Sequence, residues 1–142
     1  MDNILVVVED LEAAIAFFAE LGLELEGRAT VEGEVVDRLV GLEGVRSEIA
    51  SMRTPDGHGR LELDRFETPP AARADLEHAP VNTPGLRRIM FAVDDLDGVL
   101  ARLQARGAEL IGDVVQYANY RLCYLRGPEG IMLALSQEVR GG

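Results

Sequence analysis

The sequence predicts an α+β fold of two tandem β-α-β-β-β modules whose sheets form one shared cup with the helices outside. Three internal matches predict it. Asn3–Gly27 aligns without a gap on Arg88–Gly112 at an offset of 85, with identities that include Ile4/Ile89, Asp10/Asp95, Leu11/Leu96, Gly22/Gly107 and Gly27/Gly112. Ser47–Gly57 aligns on Tyr120–Gly130 at an offset of 73, sharing Arg53/Arg126, Pro55/Pro128 and Gly57/Gly130. Leu61-Glu62-Leu63 then aligns on Leu133-Ala134-Leu135 at an offset of 72. Repeated words in the same order at a near-constant spacing are the mark of a duplicated structural unit. The drop from 85 to 73 places twelve extra residues in the first half.

Each half opens with an apolar run, Ile4–Val8 and Ile89–Val93, that ends in an acidic pair. That pattern suits a strand leading into a helix N-cap, with Asp10 and Asp95 as the capping residues. Their negative charge also lies at the positive end of the helix dipole. Leu11, Ile15, Phe18 and Leu21 then recur at helical spacing, as do Leu96, Val99, Leu100 and Leu103. Gly22 and Gly107 stand where a helix C-terminus needs positive φ. Three extended segments follow in each half, the last two joined by the turns TPDG and GPEG. The extra residues around EGEVVDRLVGLEG are expected to hold a short additional helix. The module boundaries are placed at 1–67 and 85–142, with a Pro- and Ala-rich linker over 68–84.

Composition narrows the function. A chain of 142 residues, 47% hydrophobic and 27% charged, is one ordinary globular domain with room for a core. No apolar run approaches the length of a membrane span. The start lacks a basic segment and meets Glu9 and Asp10 at once, so no signal peptide is expected. A net charge of −11 opposes binding to nucleic acid through its phosphates. The single cysteine, Cys123, excludes an internal disulfide, and with two histidines it excludes a zinc knuckle. All 14 basic residues are arginine, as expected of a GC-rich bacterial genome, and the absence of lysine excludes Schiff-base chemistry. A reducing cytoplasmic location is the expectation.

The segments VVVEDLEAAIAFFAELGLEL, FAVDDLDGVLARLQARGAEL and YRLCYLRGPEGIMLAL resemble the vicinal oxygen chelate superfamily. It includes glyoxalase I, bleomycin-resistance proteins and extradiol dioxygenases. The resemblance runs from Asp2 to about Gln137, so the chain reads as a single glyoxalase-like domain. It implies a small-molecule site in the cup and a homodimer. In metal-dependent relatives the first strand of each half begins with a ligating histidine, and the last strand supplies a glutamate. Here those positions hold Asn3, Arg88, Glu62 and Ala134. Only Glu62 matches. An amide oxygen is a poor ligand for such an ion, alanine is none, and a guanidinium cannot lose its proton to bind one. No metal or other cofactor is therefore expected; the alternative is one divalent ion held by ligands placed elsewhere.

Strand parity puts Asn3, Leu5 and Val7 on one face, with Arg88 and Met90 matching them in the second half. If Arg88 meets Glu62 in the cup, the pair replaces the metal, and losing one buried partner would cost about 3–5 kcal/mol. The chain's three tyrosines fall within eight residues, Tyr117–Tyr124. Tyr120 and Tyr124 share a face, and Tyr124 stands where the resemblance puts an aromatic against the ligand. The expected ligand pocket is Asn3, Leu5, Glu62, Arg88, Met90, Tyr120, Tyr124 and Ala134. Glu48 and Arg121 align between halves and are expected to form a structural pair. His58 in its turn and His78 in the linker read as exposed, and Cys123 as a buried apolar group. Three functions remain: a metal-free binding protein for a small, partly apolar molecule; a metal-dependent lyase, isomerase or dioxygenase; and a metal-free enzyme with Glu62 as general base.

Overall fold

The first strand of each half runs straight into a helix through an aspartate that caps it, and this local grammar sets the whole architecture. The computed structural model describes residues 1–72 and 78–139. The first half runs β1 (Ile4–Val7), α1 (Leu11–Glu20), β2 (Glu24–Glu32), α2 (Glu34–Val40), β3 (Arg46–Arg53) and β4 (Arg60–Thr68). The second runs β5 (Arg88–Ala92), α3 (Leu96–Ala105), β6 (Glu109–Tyr117), β7 (Tyr120–Arg126) and β8 (Met132–Glu138), with a 3-10 turn at Pro128–Gly130. The duplication is thus a duplication of structure. The chain divides into two compact units, Met1–Arg73 and Ala74–Gly142.

Asp10 accepts a hydrogen bond from the Ala13 amide and Asp95 from the Gly98 amide, each satisfying a helix N–H that has no partner within the helix. The helices also end alike. Leu23 N–H donates to Phe18 and Gly22 N–H to Ala19, and the same pair of bonds recurs from Ala108 to Leu103 and Gly107 to Gln104. Glycine is needed at this C-terminal turn because φ is +101° at Gly22 and +97° at Gly107.

Each half forms a four-stranded mixed sheet, ordered β1-β4-β3-β2 in one and β5-β8-β7-β6 in the other. The first strand pairs parallel with the last, and the other neighbours are antiparallel. One face of each sheet carries the core. In the first module Val6, Ala50, Met52, Leu61 and Leu63 are buried there, and α1 covers them with Leu11, Ala14, Phe17, Phe18 and Leu21. Phe17 and Phe18 meet edge to face at 5.3 Å. The buried line of α1 is centred on Ala14 rather than Ile15, which is only half-buried; the small alanine lets the helix approach the sheet. In the second module Leu96, Val99, Leu100 and Leu103 of α3 are buried, as their spacing predicts, and α3 packs on β8. The extra residues of the first half do form a short helix, α2, stopped at Gly41 with φ +74°.

Candidate ligand site

The sheet face turned away from α1 or α3 is where the predicted site residues fall, and the two modules furnish it differently. In the first module Leu5 lies beside Glu62 and Val7 beside Asp64, because β1 and β4 run parallel in that register. On the other side of β4, Ser51 is paired with Glu62 and Ile49 with Asp64. Leu5 and Val7 are 49% and 40% exposed, so this face presents apolar surface around two carboxylates. Asn3 precedes the strand, is exposed, and donates from its amide to Asp2 at 2.9 Å.

Asp64 was not among the predicted residues, and it is the most unusual group in the module. It is only 6% exposed, and its Oδ1 has no hydrogen-bond partner among the described residues. Burial pushes its pKa up, the neighbouring Glu62 charge and a hydrogen bond with Glu62 push it further, and it reaches about 7. The sequence did contain a signal: in Leu61-Glu62-Leu63-Asp64 the alternation that buries both leucines puts both carboxylates on the opposite face.

In the second module Met90, Ala134 and Tyr124 lie side by side across β5, β8 and β7. Arg88 is two residues before Met90 on the same face. Its Nε donates to the Tyr124 hydroxyl at 2.6 Å, and its guanidinium carbon lies 5.4 Å from the Tyr124 ring centre. The bond spans β8, on which Arg88 is paired with Met132 and Tyr124 with Ala134. Ala134 is fully buried, while Met90 and Tyr120 are 38% and 45% exposed.

Arg88 is exposed, and its Nε is engaged by Tyr124 of its own sheet. An exposed charged hydrogen bond with a cation–π contact is worth about 0.5–1 kcal/mol. Arg88→Ala is expected to lower stability by no more than about 1 kcal/mol, and urea melts of the variant check this; a loss of several kcal/mol would place Arg88 in a buried pair after all.

The Glu48 and Arg121 pairing is corrected. Arg121 makes two 2.9 Å bonds to Asp97 on α3, and that bond holds the Asp97 carboxyl below its usual pKa. Glu48 faces Arg65 at 3.5 Å and Arg28 at 4.0 Å. Equivalence within a repeat identifies like positions, and it carries no information about contact. His58 and His78 are exposed, and Cys123 is buried with its thiol pushed up by burial.

The four positions of the metal-binding pattern do not fit a metal. Asn3, Arg88 and Ala134 offer one weak amide oxygen, a fixed positive charge and a methyl group. Among the described residues no group of three or more His, Cys, Asp or Glu side chains is placed to hold an ion. One shallow hollow of about 340 Å³ lies along β2 and β3, lined by Arg28, Ala29, Thr30, Glu48 and Ile49, and includes none of the predicted pocket residues. No helix among the described residues is long and apolar enough to cross a membrane.

The model of the Glyoxalase/Bleomycin resistance protein/Dioxygenase superfamily matches residues 1–135. A glyoxalase family protein from Bacillus cereus is 57% identical over 99% of this chain and 94% of its own, with a TM-score of 0.93. A glyoxylase/bleomycin resistance protein/dioxygenase domain from Frankia is 18% identical, covering 97% of this chain and 96% of its own at a TM-score of 0.68. TnmS3, an antibiotic binding protein from Streptomyces, is 23% identical, covering 97% and 96% at a TM-score of 0.55. These last two likenesses concern the fold alone. Comparison with curated proteins finds no match.

Proposed function

Because the chain belongs to the Glyoxalase/Bleomycin resistance protein/Dioxygenase superfamily, we propose that it binds a small, partly apolar molecule on the sheet faces turned away from α1 and α3, without a resident metal. The observation that carries the reading is the Arg88–Tyr124 bond over Ala134. Arg88 stands where the family pattern calls for a histidine ligand, and the Tyr124 ring lies beside Ala134, where the pattern calls for a glutamate. Each sheet by itself offers apolar surface beside a few polar groups: exposed Leu5 and Val7 in the first module, exposed Met90 in the second. The fold is compatible with such a role, since it also serves an antibiotic binding protein in Streptomyces.

A metal-dependent lyase, isomerase or dioxygenase would need three ligands that the family positions do not offer. A metal-free enzyme with Glu62 as base is separated from a binding protein by turnover: loss of a measured activity in Glu62→Gln would establish the enzyme. The binding reading is tested by screening neutral, partly apolar fragments against the isotope-labelled protein by NMR. Amide shifts are expected at Leu5, Glu62, Met90, Tyr124 and Ala134. Binding confined to other parts of the chain would overturn the assignment.

A further inference from the structure

We propose that Asp64 and Glu62 together anchor a protonated amine on an otherwise apolar ligand, an inference that rests on the small-molecule reading above. Both side chains leave β4 on the same face, two residues apart, so their carboxyl groups meet rather than point away from each other. Leu5 and Val7 flank them on β1, and Ile49 and Ser51 flank them on β3. An ammonium group therefore finds acceptors at the centre, while the carbon skeleton attached to it finds apolar neighbours.

The buried carboxylate oxygen of Asp64 without a donor is what points to a ligand. A buried acceptor with no donor destabilises the fold, and most native structures satisfy such atoms. The two other charged groups of β4 that could have served are engaged elsewhere. Arg60 bonds Glu26 at 3.0 Å, and Arg65 reaches Glu48, Glu67 and the Glu9 carbonyl. A ligand ammonium meets the half-buried Glu62, and a turn of the Asp64 carboxyl toward it would give the unpaired oxygen its donor. Bonds of this charge-assisted kind are about twice as strong as neutral ones. The net charge of −11 adds long-range attraction for a cation. A divalent metal suits the place less well, because calcium takes six to eight oxygen ligands and magnesium a near-ideal octahedron, whereas an ammonium needs two or three acceptors.

The test compares two probes of one shape, cyclohexylmethylamine and the neutral cyclohexylmethanol, titrated into the isotope-labelled full chain at about pH 8. The amine is expected to shift the Glu62, Leu63 and Asp64 amides and to bind at least about tenfold tighter than the alcohol. Asp64→Asn should remove most of that preference while leaving the alcohol's affinity unchanged. If Asp64→Asn does not fold, Glu62→Gln is the second variant and should also weaken the amine alone. Equal binding of the two probes to the wild type, or a preference that survives in the variants, overturns the anchor and leaves the small-molecule reading standing. If neither probe shifts an amide on the sheet faces turned away from α1 and α3, both fall. Magnesium chloride shifting the same amides as strongly as the amine would also overturn it, in favour of a metal ion.

Discussion

Replacing Asp64 by leucine is expected to raise stability at pH 8 by about 1–3 kcal/mol, because it removes a buried acceptor that has no donor and keeps a side chain of similar size. The gain should depend on pH. The Asp64 pKa is raised to about 7 from its ordinary 3.8. Below about pH 4 the carboxyl is protonated in both the folded and the unfolded chain. Between 4 and 7 the unfolded chain ionises and the folded one does not, so the unfolded state binds fewer protons and stability falls as pH rises. Above 7 both are ionised and the whole loss stands. Asp56, Glu67 and Asp97 have lowered pKa values and slope the other way, so the quantity to measure is the difference between variant and wild type. Urea melts at pH 4 and pH 8 should show the leucine variant gaining between the two. A difference that does not move with pH would mean that Asp64 is satisfied in the folded protein.

Leu63→Ala and Leu135→Ala should each lower stability by about 2–5 kcal/mol, the range for emptying a packed leucine site. Both residues are fully buried, one on β4 and one on β8, and they are equivalent at the 72-residue offset. They face α1 and α3 from the strand that pairs on both sides. Near-equal losses are expected because the duplication repeats the packing as well as the sequence. Thermal melts would show drops of roughly 5–15 °C. A loss under about 1 kcal/mol in either variant would contradict the shared core pattern.

Local rules make most of the fold readable in the sequence. Caps at Asp10 and Asp95, stops at Gly22 and Gly107, and the extra helix over Glu34–Val40 all depend on a few neighbouring residues or on a length difference between halves. Strand parity likewise grouped Arg88 with Met90 and Tyr120 with Tyr124, and the pairing of β5, β8 and β7 puts the two groups on one face. Partners were harder, because parity names a face and not a neighbour. Arg88 meets Tyr124 diagonally across β8, which depends on the register Met90–Ala134–Tyr124. Asp64 was missed for a related reason. In sequence it is one more polar residue in an alternating strand, and alternation alone does not distinguish a buried carboxylate from an exposed one.

Thermal melting with zinc, nickel, manganese or iron added in turn tests metal-free binding most directly. A specific site filled at 100 times its dissociation constant adds about 2.7 kcal/mol, which for a chain of this size raises the melting temperature by roughly 5–10 °C. With Asn3, Arg88 and Ala134 at three of the four ligand positions, the melting temperature is expected to stay within about 1 °C of the metal-free value. A rise of about 5 °C or more that saturates at one equivalent of any of these ions would show a metal centre and contradict the binding mode proposed for this chain.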